Sequence, residues 1–385
     1  MTLRRLRSIA ALVLVLAIAA SGTCGLAGEG GGTVSPGTAS PGIACLGTVC
    51  LGYYTGDAQS FEAVRTFAAY LTIVSADVYA VEFDGTIKGG DDFGVVAFCK
   101  ANGIEVYACV SNYNSDPDVD GFDAELARAA IVTQRDAVIA GLVSLAQDGR
   151  YNGVNIDFEN LAFSRNIEDN RAAFTAFIHE LATQLHALGL KLAISVPGKI
   201  EDSIDDDWSY PFDYAALGEE ADLLQLMTYD QHGPWSEPGP VSGADWVEDC
   251  VAYAVSVVDP AKLLIGLPAY GYDWNLTDSD PASWTYFATS FSWSDIPDLL
   301  AKPDAVEHWD TAARSPYVTY TERGHRHEAW FESAESLQAK TALIAKYDLA
   351  GLSMWSLGQE DAAFWEEVSA SAASSATALV EPALP

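Results

Sequence analysis

The sequence has 385 residues, of which 49% are hydrophobic and 19% are charged, a composition that suits one large globular domain. Its 54 acidic residues outnumber 20 lysines and arginines, so the formal net charge is −34 at pH 7. This charge argues against nucleic acid and anionic membranes as partners, because both attract basic surfaces; neutral polysaccharide remains compatible, whereas an anionic wall polymer would be repelled at low salt.

The N-terminus has the pattern of an export signal. Three arginines precede an apolar run, Ile9–Ala20, which is too short to span a bilayer and is followed by small residues. We therefore expect residues 1–24 to be a signal peptide and the protein to be secreted or associated with the cell wall. Cys24 is a candidate lipoprotein cysteine, although the residues before it match a lipobox poorly, so membrane attachment depends on its lipidation. Residues 25–43 are rich in Gly, Ser, Thr and Pro and are predicted to be a spacer.

Six cysteines suit an exported protein. Cys45 and Cys50 are close enough in sequence for a small-loop disulfide. Cys99 and Cys109 either pair with each other or are buried thiols, and Cys250 has no evident partner in the sequence. The connectivity stays open at this stage.

From residue 44 to about 370, apolar runs alternate with amphipathic helical stretches such as Leu126–Ala146 and Ala172–Leu188. The predicted strands are Cys50–Tyr54, Val78–Glu82, Glu105–Val110, Gly153–Phe158, Lys191–Val196, Leu223–Tyr229, Lys262–Leu267 and Gly351–Trp355. Eight strand–helix alternations predict an α/β fold, a (β/α)8 TIM barrel. The alternative, a doubly wound sheet, would need a glycine-rich turn after a strand, and none follows one. Residues 371–385 are predicted to be a flexible tail.

The gap between the seventh and eighth predicted strands, about 275–340, is too long for a single crossover helix. It contains several aromatic-rich pieces, among them Tyr317–Tyr320 and Ala329–Phe331. The sequence predicts a small β-containing insertion here, forming one wall of a cleft.

The stretch Tyr151–Asn160 carries the clearest chemical pattern. As a strand, it places Val, Ile and Phe side chains on one face and Asn155, Asp157 and Glu159 on the other. A polar face with paired carboxylates is costly to bury unless the groups are used, so we expect it to open into a cleft. Two carboxylates this close resist ionising together. We therefore expect one of the two carboxyl groups to have a raised pKa and to keep its proton, as a general acid requires. An exposed acidic pair without a function is the alternative.

This stretch resembles the D-x-x-D-x-D-x-E signature on the fourth barrel strand of family 18 glycoside hydrolases, the chitinases and their relatives. Asp157 and Glu159 match the last two acids, whereas amides, Asn152 and Asn155, stand at the first two. The segment GVNIDFEN is most similar to the branch of spore cortex-lytic and other peptidoglycan N-acetylglucosaminidases. In that branch, an Asn at the position of Asn155 is familiar. Asn152 departs further from the pattern.

Two other strands extend the resemblance. Asp222–Asp230 is similar to the Q-x-M-x-Y-D sixth strand of the family, with Gln225, Met227 and Tyr229 alternating onto one face. Trp355 ends the last strand and offers a flat apolar plate for the C–H face of a sugar ring. A core Tyr and a core Trp are the structural alternatives.

The resemblance implies a retaining, substrate-assisted glycosidase with no cofactor. Glu159 would be the general acid and base, Asp157 would hold the substrate's acetamido N–H, and Tyr229 would bind the acetamido oxygen that attacks the anomeric carbon. An amide at Asn155 can hold Asp157 by a hydrogen bond but cannot titrate. The substrate-binding residues implied are Trp355, Asp230, Met227, Gln225, Asn155 and Tyr54.

The expected partner is a polysaccharide containing N-acetylglucosamine, with peptidoglycan favoured over chitin, and the expected state is a monomer. A chitinase, a sugar-binding lectin on the same fold and a scaffold with a vestigial site are the alternatives. Family lectins typically lose the acid at Glu159, which is present here. His325 and His327 have no third metal ligand at a familiar spacing, so we predict no metal site, and no G-x-S-x-G motif indicates a serine nucleophile.

Overall fold

A computed structural model describes residues 48–162, 167–283 and 285–369. The strands are β1 Val49–Tyr54, β2 Ile73–Val81, β3 Ile87–Gly89, β4 Glu105–Ser111, β5 Tyr113–Asn114, β6 Gly121–Phe122, β7 Gly153–Asp157, β8 Lys191–Pro197, β9 Leu223–Met227, β10 Leu263–Pro268, β11 Tyr270–Asn275, β12 Ala288–Ser292, β13 Val306–Asp310, β14 Ser315–Glu322, β15 His325–Trp330 and β16 Gly351–Trp355. The α-helices are α1 Ala58–Thr66, α2 Val95–Ala101, α3 Ala124–Arg128, α4 Arg135–Asp148, α5 Ile167–Ala187, α6 Tyr214–Glu220, α7 Ala244–Val257, α8 Ile296–Leu300 and α9 Ala334–Lys346, and residues 362–369 are also helical. The predicted signal peptide, spacer and tail, together with Cys45, lie outside the described residues.

Eight parallel strands close into a barrel in the order β1, β2, β4, β7, β8, β9, β10 and β16. The barrel is closed because β1 pairs in parallel with β2 on one side and with β16 on the other. The predicted (β/α)8 TIM barrel is confirmed. Seven of its strands lie within one or two residues of the predicted limits.

The second barrel strand and the helical stretch after the third differ from the prediction. The strand β2 begins at Ile73, five residues before the predicted start at Val78. Its pairing with β4 shifts register after Asp77, and this bulge interrupts the side-chain alternation on which the prediction depends. The predicted helix Leu126–Ala146 is two helices, α3 and α4, joined by a π-helical turn and bent by 92°.

The core forms two layers because each barrel strand alternates its side chains. Outward-facing residues such as Val154 and Leu226 pack against the helices, and Phe158 stacks on Phe177 at a centroid separation of 5.9 Å. Burial of each large apolar side chain contributes about 1.5–3 kcal/mol. Inward-facing residues such as Leu51 and Leu264 fill the barrel interior. This packing leaves the carboxyl ends of the strands to carry polar side chains.

An antiparallel sheet of five strands, in the order β12, β11, β15, β14 and β13, is inserted between β10 and α9. The predicted β-containing insertion between the seventh and eighth barrel strands is therefore present. The sheet runs from Tyr270 to Trp330, so it begins earlier than the predicted 275. The predicted end near 340 falls inside α9, which packs against the barrel and not in the insertion.

The described cysteines include three buried free thiols, at Cys99, Cys109 and Cys250. Cys99 lies on α2 outside the barrel and Cys109 lies inside it, so these two do not pair and are buried thiols. Among the helices that the structure describes, no single one has the length and hydropathy of a membrane span, and only the bent pair Ala124–Thr133 with Arg135–Asp148 meets both jointly.

Candidate active site

Two carboxylates stand at the carboxyl end of β7. Asp157 is the last residue of the strand and is buried, and Glu159 follows two residues later and is partly exposed. Val154, Ile156 and Phe158 face outwards and are fully buried against the helices. The predicted division of this strand into an apolar outer face and a polar inner face is confirmed.

The backbone of Glu159 is held by Asn112, which follows β4 and is fully buried. Oδ1 of Asn112 accepts a hydrogen bond from the Glu159 backbone N–H at 2.8 Å, and its Nδ2 donates to the Glu159 carbonyl oxygen at 2.9 Å. The same Nδ2 donates to the carbonyl oxygen of Asp123 at 2.9 Å. One amide side chain therefore fixes the chain segment that carries the proposed general acid.

The two β7 carboxylates differ in their proton affinity. Burial raises the pKa of Asp157 to about 6, and a hydrogen bond with Ser195 opposes this rise. The pKa of Glu159 is raised well above its usual range, first by burial and then by the negative charges of Asp157, Asp230 and Asp77. The pKa of Glu159 is thus raised further than that of Asp157, so Asp157 is the first of the two to ionise and Glu159 the last to lose its proton, which is the order that acid catalysis requires. The sequence predicts a raised pKa from repulsion between the two carboxylates alone, whereas in the structure burial is the larger cause of the raised pKa of Glu159.

A third carboxylate, Asp77 on β2, adjoins this pair. One side-chain oxygen of Asp77, one of Asp157 and the sulfur of Cys109 all lie within 4.8 Å of one another. Burial and the charge of Asp157 raise the pKa of Asp77 to about 7. Sequence reasoning missed this residue because the predicted strand began at Val78; the alternation of Ile73, Ser75 and Asp77 on one face is the signal that identifies it.

Asn155 lies beneath the carboxylates and is fully buried. Its Nδ2 is 3.2 Å from the hydroxyls of Tyr53, Ser75 and Ser195 and 3.3 Å from the sulfur of Cys109. The expectation that Asn155 holds Asp157 by a hydrogen bond is wrong, because its amide is engaged with this hydroxyl and thiol cluster. Asn155 supports the floor of the site from inside the barrel.

The face of β9 is as predicted, with Gln225 and Met227 inward and Leu224 and Leu226 outward. Gln225 is fully buried and accepts a hydrogen bond from the Tyr53 hydroxyl at 3.3 Å, so it supports the site from below. Met227 is partly exposed and packs at the cleft.

Tyr229 lies beside the carboxylates. Burial raises its pKa well above the usual range, and the negative charges of Asp157, Asp230 and Glu159 contribute. The position of its ring depends on Gly266 of β10, where a Cβ atom would lie only 2.7 Å from Cε1 of Tyr229 and 2.5 Å from the carbonyl oxygen of Leu226. A glycine on the neighbouring strand therefore makes room for the tyrosine ring.

Asp230 is exposed where the barrel meets the insertion. Its Oδ1 accepts hydrogen bonds from Tyr270 at 2.6 Å and from Tyr272 at 3.0 Å. Both tyrosines belong to β11, the first strand of the inserted sheet. These bonds tie the rim of the barrel to the wall of the cleft and orient a carboxylate whose charge acts on Glu159.

Trp355 ends β16 and is partly exposed at the cleft floor. Its ring lies 5.2 Å from that of Tyr53, which faces inward and shares a hydrogen bond of 2.8 Å with Ser195. The prediction of Tyr54 as a substrate-binding residue is wrong: Tyr54 is fully buried on the outer face of β1 against Phe61, with no hydrogen-bond partner for its hydroxyl among the described residues. Successive strand residues face opposite sides, so Tyr53 takes the inner position.

The histidines singled out in the sequence pair with carboxylates. His325 lies 3.0 Å from Asp278, and His327 lies 3.0 Å from Asp273 and stacks on Tyr320. Both lie in the insertion, so they are placed to stabilise its sheet.

The one group of three potential metal ligands among the described residues is Asp77, Cys109 and Asp157. Burial raises the pKa of the Cys109 thiol well above its usual range. The Cys109 sulfur also lies 3.3 Å from Nδ2 of Asn155, so the thiol belongs to the hydrogen-bonded cluster beneath the two carboxylates.

Glu159, Asp157 and Tyr229 therefore lie together at the carboxyl end of the barrel, near Trp355 at the end of β16. The family described as "Glycosyl hydrolases family 18" matches residues 51–360. The chain belongs to this family. It is therefore a glycosidase, as the sequence predicts.

Three similar proteins are named as a glycosylase, a chitinase and a spore cortex-lytic enzyme. An uncharacterized glycosylase, YvbX, of Bacillus subtilis is 34% identical over 319 residues, covering 82% of this chain and 89% of that protein. The crystal structure of a chitinase from Chromobacterium violaceum superposes with a TM-score of 0.77 and 35% identity, covering 87% of this chain and 100% of that one. The crystal structure of the spore cortex-lytic enzyme of Bacillus megaterium superposes with a TM-score of 0.74 and 26% identity, covering 83% of this chain and 73% of that one.

Proposed function

We propose that this chain is a secreted, monomeric enzyme that cleaves β-1,4 bonds of glycans containing N-acetylglucosamine, with retention of configuration and with assistance from the substrate. The observation that carries the proposal is the carboxylate pair at the carboxyl end of β7, Asp157 on the strand and Glu159 two residues beyond it, with Tyr229 beside them. Glu159 has a strongly raised pKa, whereas Asp157, two residues earlier, has a pKa of about 6. One group can give a proton at the pH at which the other is an anion.

In the first step, the Glu159 carboxyl group donates its proton to the glycosidic oxygen as the bond from that oxygen to the anomeric carbon breaks. The carbonyl oxygen of the substrate's 2-acetamido group forms a new bond to the anomeric carbon, which gives an oxazolinium ion. Asp157 accepts a hydrogen bond from the acetamido N–H and stabilises the positive charge, and the Tyr229 hydroxyl donates to the acetamido oxygen and aligns it. The attached nucleophile contributes through proximity.

In the second step, water attacks the anomeric carbon and gives a proton to the Glu159 carboxylate. The oxazolinium ring opens, so the product keeps its configuration and the enzyme returns to its starting protonation state. Trp355 provides the plate on which the reacting sugar packs, and Met227 and Asp230 border the same cleft.

Peptidoglycan is the favoured substrate, because the GVNIDFEN motif and the similarity to a spore cortex-lytic enzyme both support a wall glycan. A chitinase is the second candidate, since the Chromobacterium violaceum structure with 35% identity is named as one. Export is supported by the basic and apolar N-terminal segment.

Product analysis tests the proposal. The protein, its Glu159→Gln variant and a matched Glu366→Gln control are incubated with purified peptidoglycan and with chitin oligosaccharides. Glu366 is an exposed residue of the helical segment 362–369. The products are reduced, and mass spectrometry identifies the new reducing ends. We expect wall fragments ending in N-acetylglucosamine, a loss of roughly 10²-fold or more in turnover for Glu159→Gln with glycan binding retained, and full activity for Glu366→Gln.

Each other outcome has a definite meaning. Cleavage of chitin oligosaccharides alone would assign a chitinase. Binding of either glycan without cleavage by the wild-type protein would refute the enzymatic proposal and support a lectin. Full activity of Glu159→Gln would remove Glu159 from the role of general acid.

A further inference from the structure

Asp77 occupies a position on β2 from which it can act on the β7 carboxylates. It pairs in register with Cys109 of β4, and Cys109 in turn pairs with Asn155 of β7. The register shift of β2 falls directly after Asp77. Such bulges redirect side chains and are common beside active sites. The resulting geometry brings side-chain oxygens of Asp77 and Asp157 within 4.8 Å of each other.

Asp157 has one side-chain oxygen whose hydrogen-bonding requirement is unmet. Its Oδ1 is buried and has no hydrogen-bond partner among the described residues. Asn155, the neighbour on the same face of β7, is engaged by Tyr53, Ser75, Cys109 and Ser195 and cannot titrate in any case. Leaving a buried acceptor without a donor is unfavourable, and a proton on the neighbouring Asp77 would satisfy it.

We propose that Asp77 is a positioning residue for the reaction: its carboxyl group shares one proton with Asp157 and orients that carboxylate towards the substrate's acetamido group. This role rests on the proposed function. The protonated Asp77 donates its O–H to Oδ1 of Asp157, directly after a small side-chain rotation or through one water molecule. The other oxygen of Asp157 stays free to accept from the acetamido N–H. A carboxylate on β2 thereby supplies the third acid that Asn155 cannot provide.

The charge of Asp77 also acts on the general acid. The titratable groups that interact with Asp77 are Cys109 on β4, Asp157 at the end of β7 and Glu159 just beyond it, and none of them is a cation. When Asp77 ionises, its negative charge helps to hold the proton on Glu159. Removing that charge should lower the pKa of Glu159, so Glu159 would lose its proton at a lower pH. The pH range in which the enzyme is active would then end at a lower pH on its alkaline side.

The test compares Asp77→Asn, Asp77→Ala and the exposed control Asp249→Asn on α7. The pH profiles of kcat and kcat/KM are measured with the glycan that the wild-type protein cleaves, after dialysis against a chelator. Asparagine keeps a donor for Asp157 but cannot ionise. We therefore expect Asp77→Asn to retain kcat at pH 5–6 and to shift its alkaline limb down by roughly one pH unit. Asp77→Ala loses the donor and should lower kcat about tenfold, with a smaller change in KM.

Thermal unfolding provides a readout that needs no substrate. A folded-state pKa near 7 for Asp77 exceeds the value near 4 of the unfolded chain, so the wild-type protein loses stability as the pH rises through this window. Asp77→Asn should match the wild-type Tm at pH 4 and exceed it by roughly 2–5 °C at pH 8. Asp249→Asn should show no such dependence on pH.

Three results would overturn the role of Asp77: an unmoved alkaline limb in Asp77→Asn, a Tm difference that does not depend on pH, or activity that is lost to the chelator and restored by a divalent metal. A wild-type protein that cleaves neither glycan would refute the proposed function instead. The melting comparison would then still decide whether Asp77 holds the shared proton.

Discussion

The clamp on Glu159 gives the sharpest quantitative prediction. Asn112→Ala removes the two hydrogen bonds to the Glu159 backbone and the bond to the carbonyl of Asp123, at 2.8, 2.9 and 2.9 Å, from a fully buried site. At about 1 kcal/mol for each lost bond, the free energy of unfolding should fall by about 3 kcal/mol. The segment that carries Glu159 should also shift, and a displacement near 1 Å is enough to lower kcat about 10²-fold.

Urea unfolding and turnover, measured on the same preparations, check both numbers. Asn102→Ala is the matched control, because Asn102 is exposed at the end of α2 and its side chain donates a local hydrogen bond to the Phe98 carbonyl oxygen. It should lose less than about 1 kcal/mol and keep its kcat. The reasoning is refuted if Asn112→Ala is destabilised as expected but keeps its kcat within about threefold, because the clamp would then be structural only.

Three further predictions follow from packing and charge. Gly266→Ala should lower kcat more than about tenfold by displacing Tyr229, whereas Gly90→Ala, at an open position, should not; unchanged kinetics would contradict the packing argument. Lys340→Met should reduce the free energy of unfolding by about 3–5 kcal/mol, because it leaves the buried Glu332 without its cation; a double variant with Glu332→Leu should recover most of the loss in urea titrations. Raising the ionic strength from 0.01 to 0.15 M shortens the Debye length from about 30 to 8 Å and screens the net charge of −34 on the protein. This change should increase kcat/KM several-fold on anionic wall polymer but leave it within about twofold on chitin oligosaccharides. Equal responses with the two substrates would exclude repulsion between protein and polymer as the cause.

The sequence predicts the barrel well because strong periodic signals coincide with it. On β7, the alternation of Val154, Ile156 and Phe158 with polar residues is regular, and in the structure these three side chains pack in the core between the barrel and its helices. The same logic predicts the inner face of β9. Local alternation is enough for such strands because a one-residue slip would turn every apolar side chain inward.

The failures have physical causes too. Asp77 was missed because a bulge, set by pairing with β4, breaks the alternation directly after it. Tyr53 and Tyr54 are adjacent and chemically identical, so composition could not decide which of them faces the barrel interior. Asn112 holds Glu159 across 47 residues of sequence, a contact that no local pattern indicates. Features that depend on long-range register are therefore the ones that sequence reasoning loses.

The way in which the barrel closes has a consequence for how the protein is made. The first strand pairs with the last, Val49 with Gly351, about 300 residues apart in the chain. Contacts of such long separation form late and slowly, because loop closure must precede them. The last strand also brings Trp355 to the cleft floor. During synthesis, the candidate active site therefore stays unfinished until β16 has emerged, and truncation before β16 should remove the barrel seam and the Trp355 ring together.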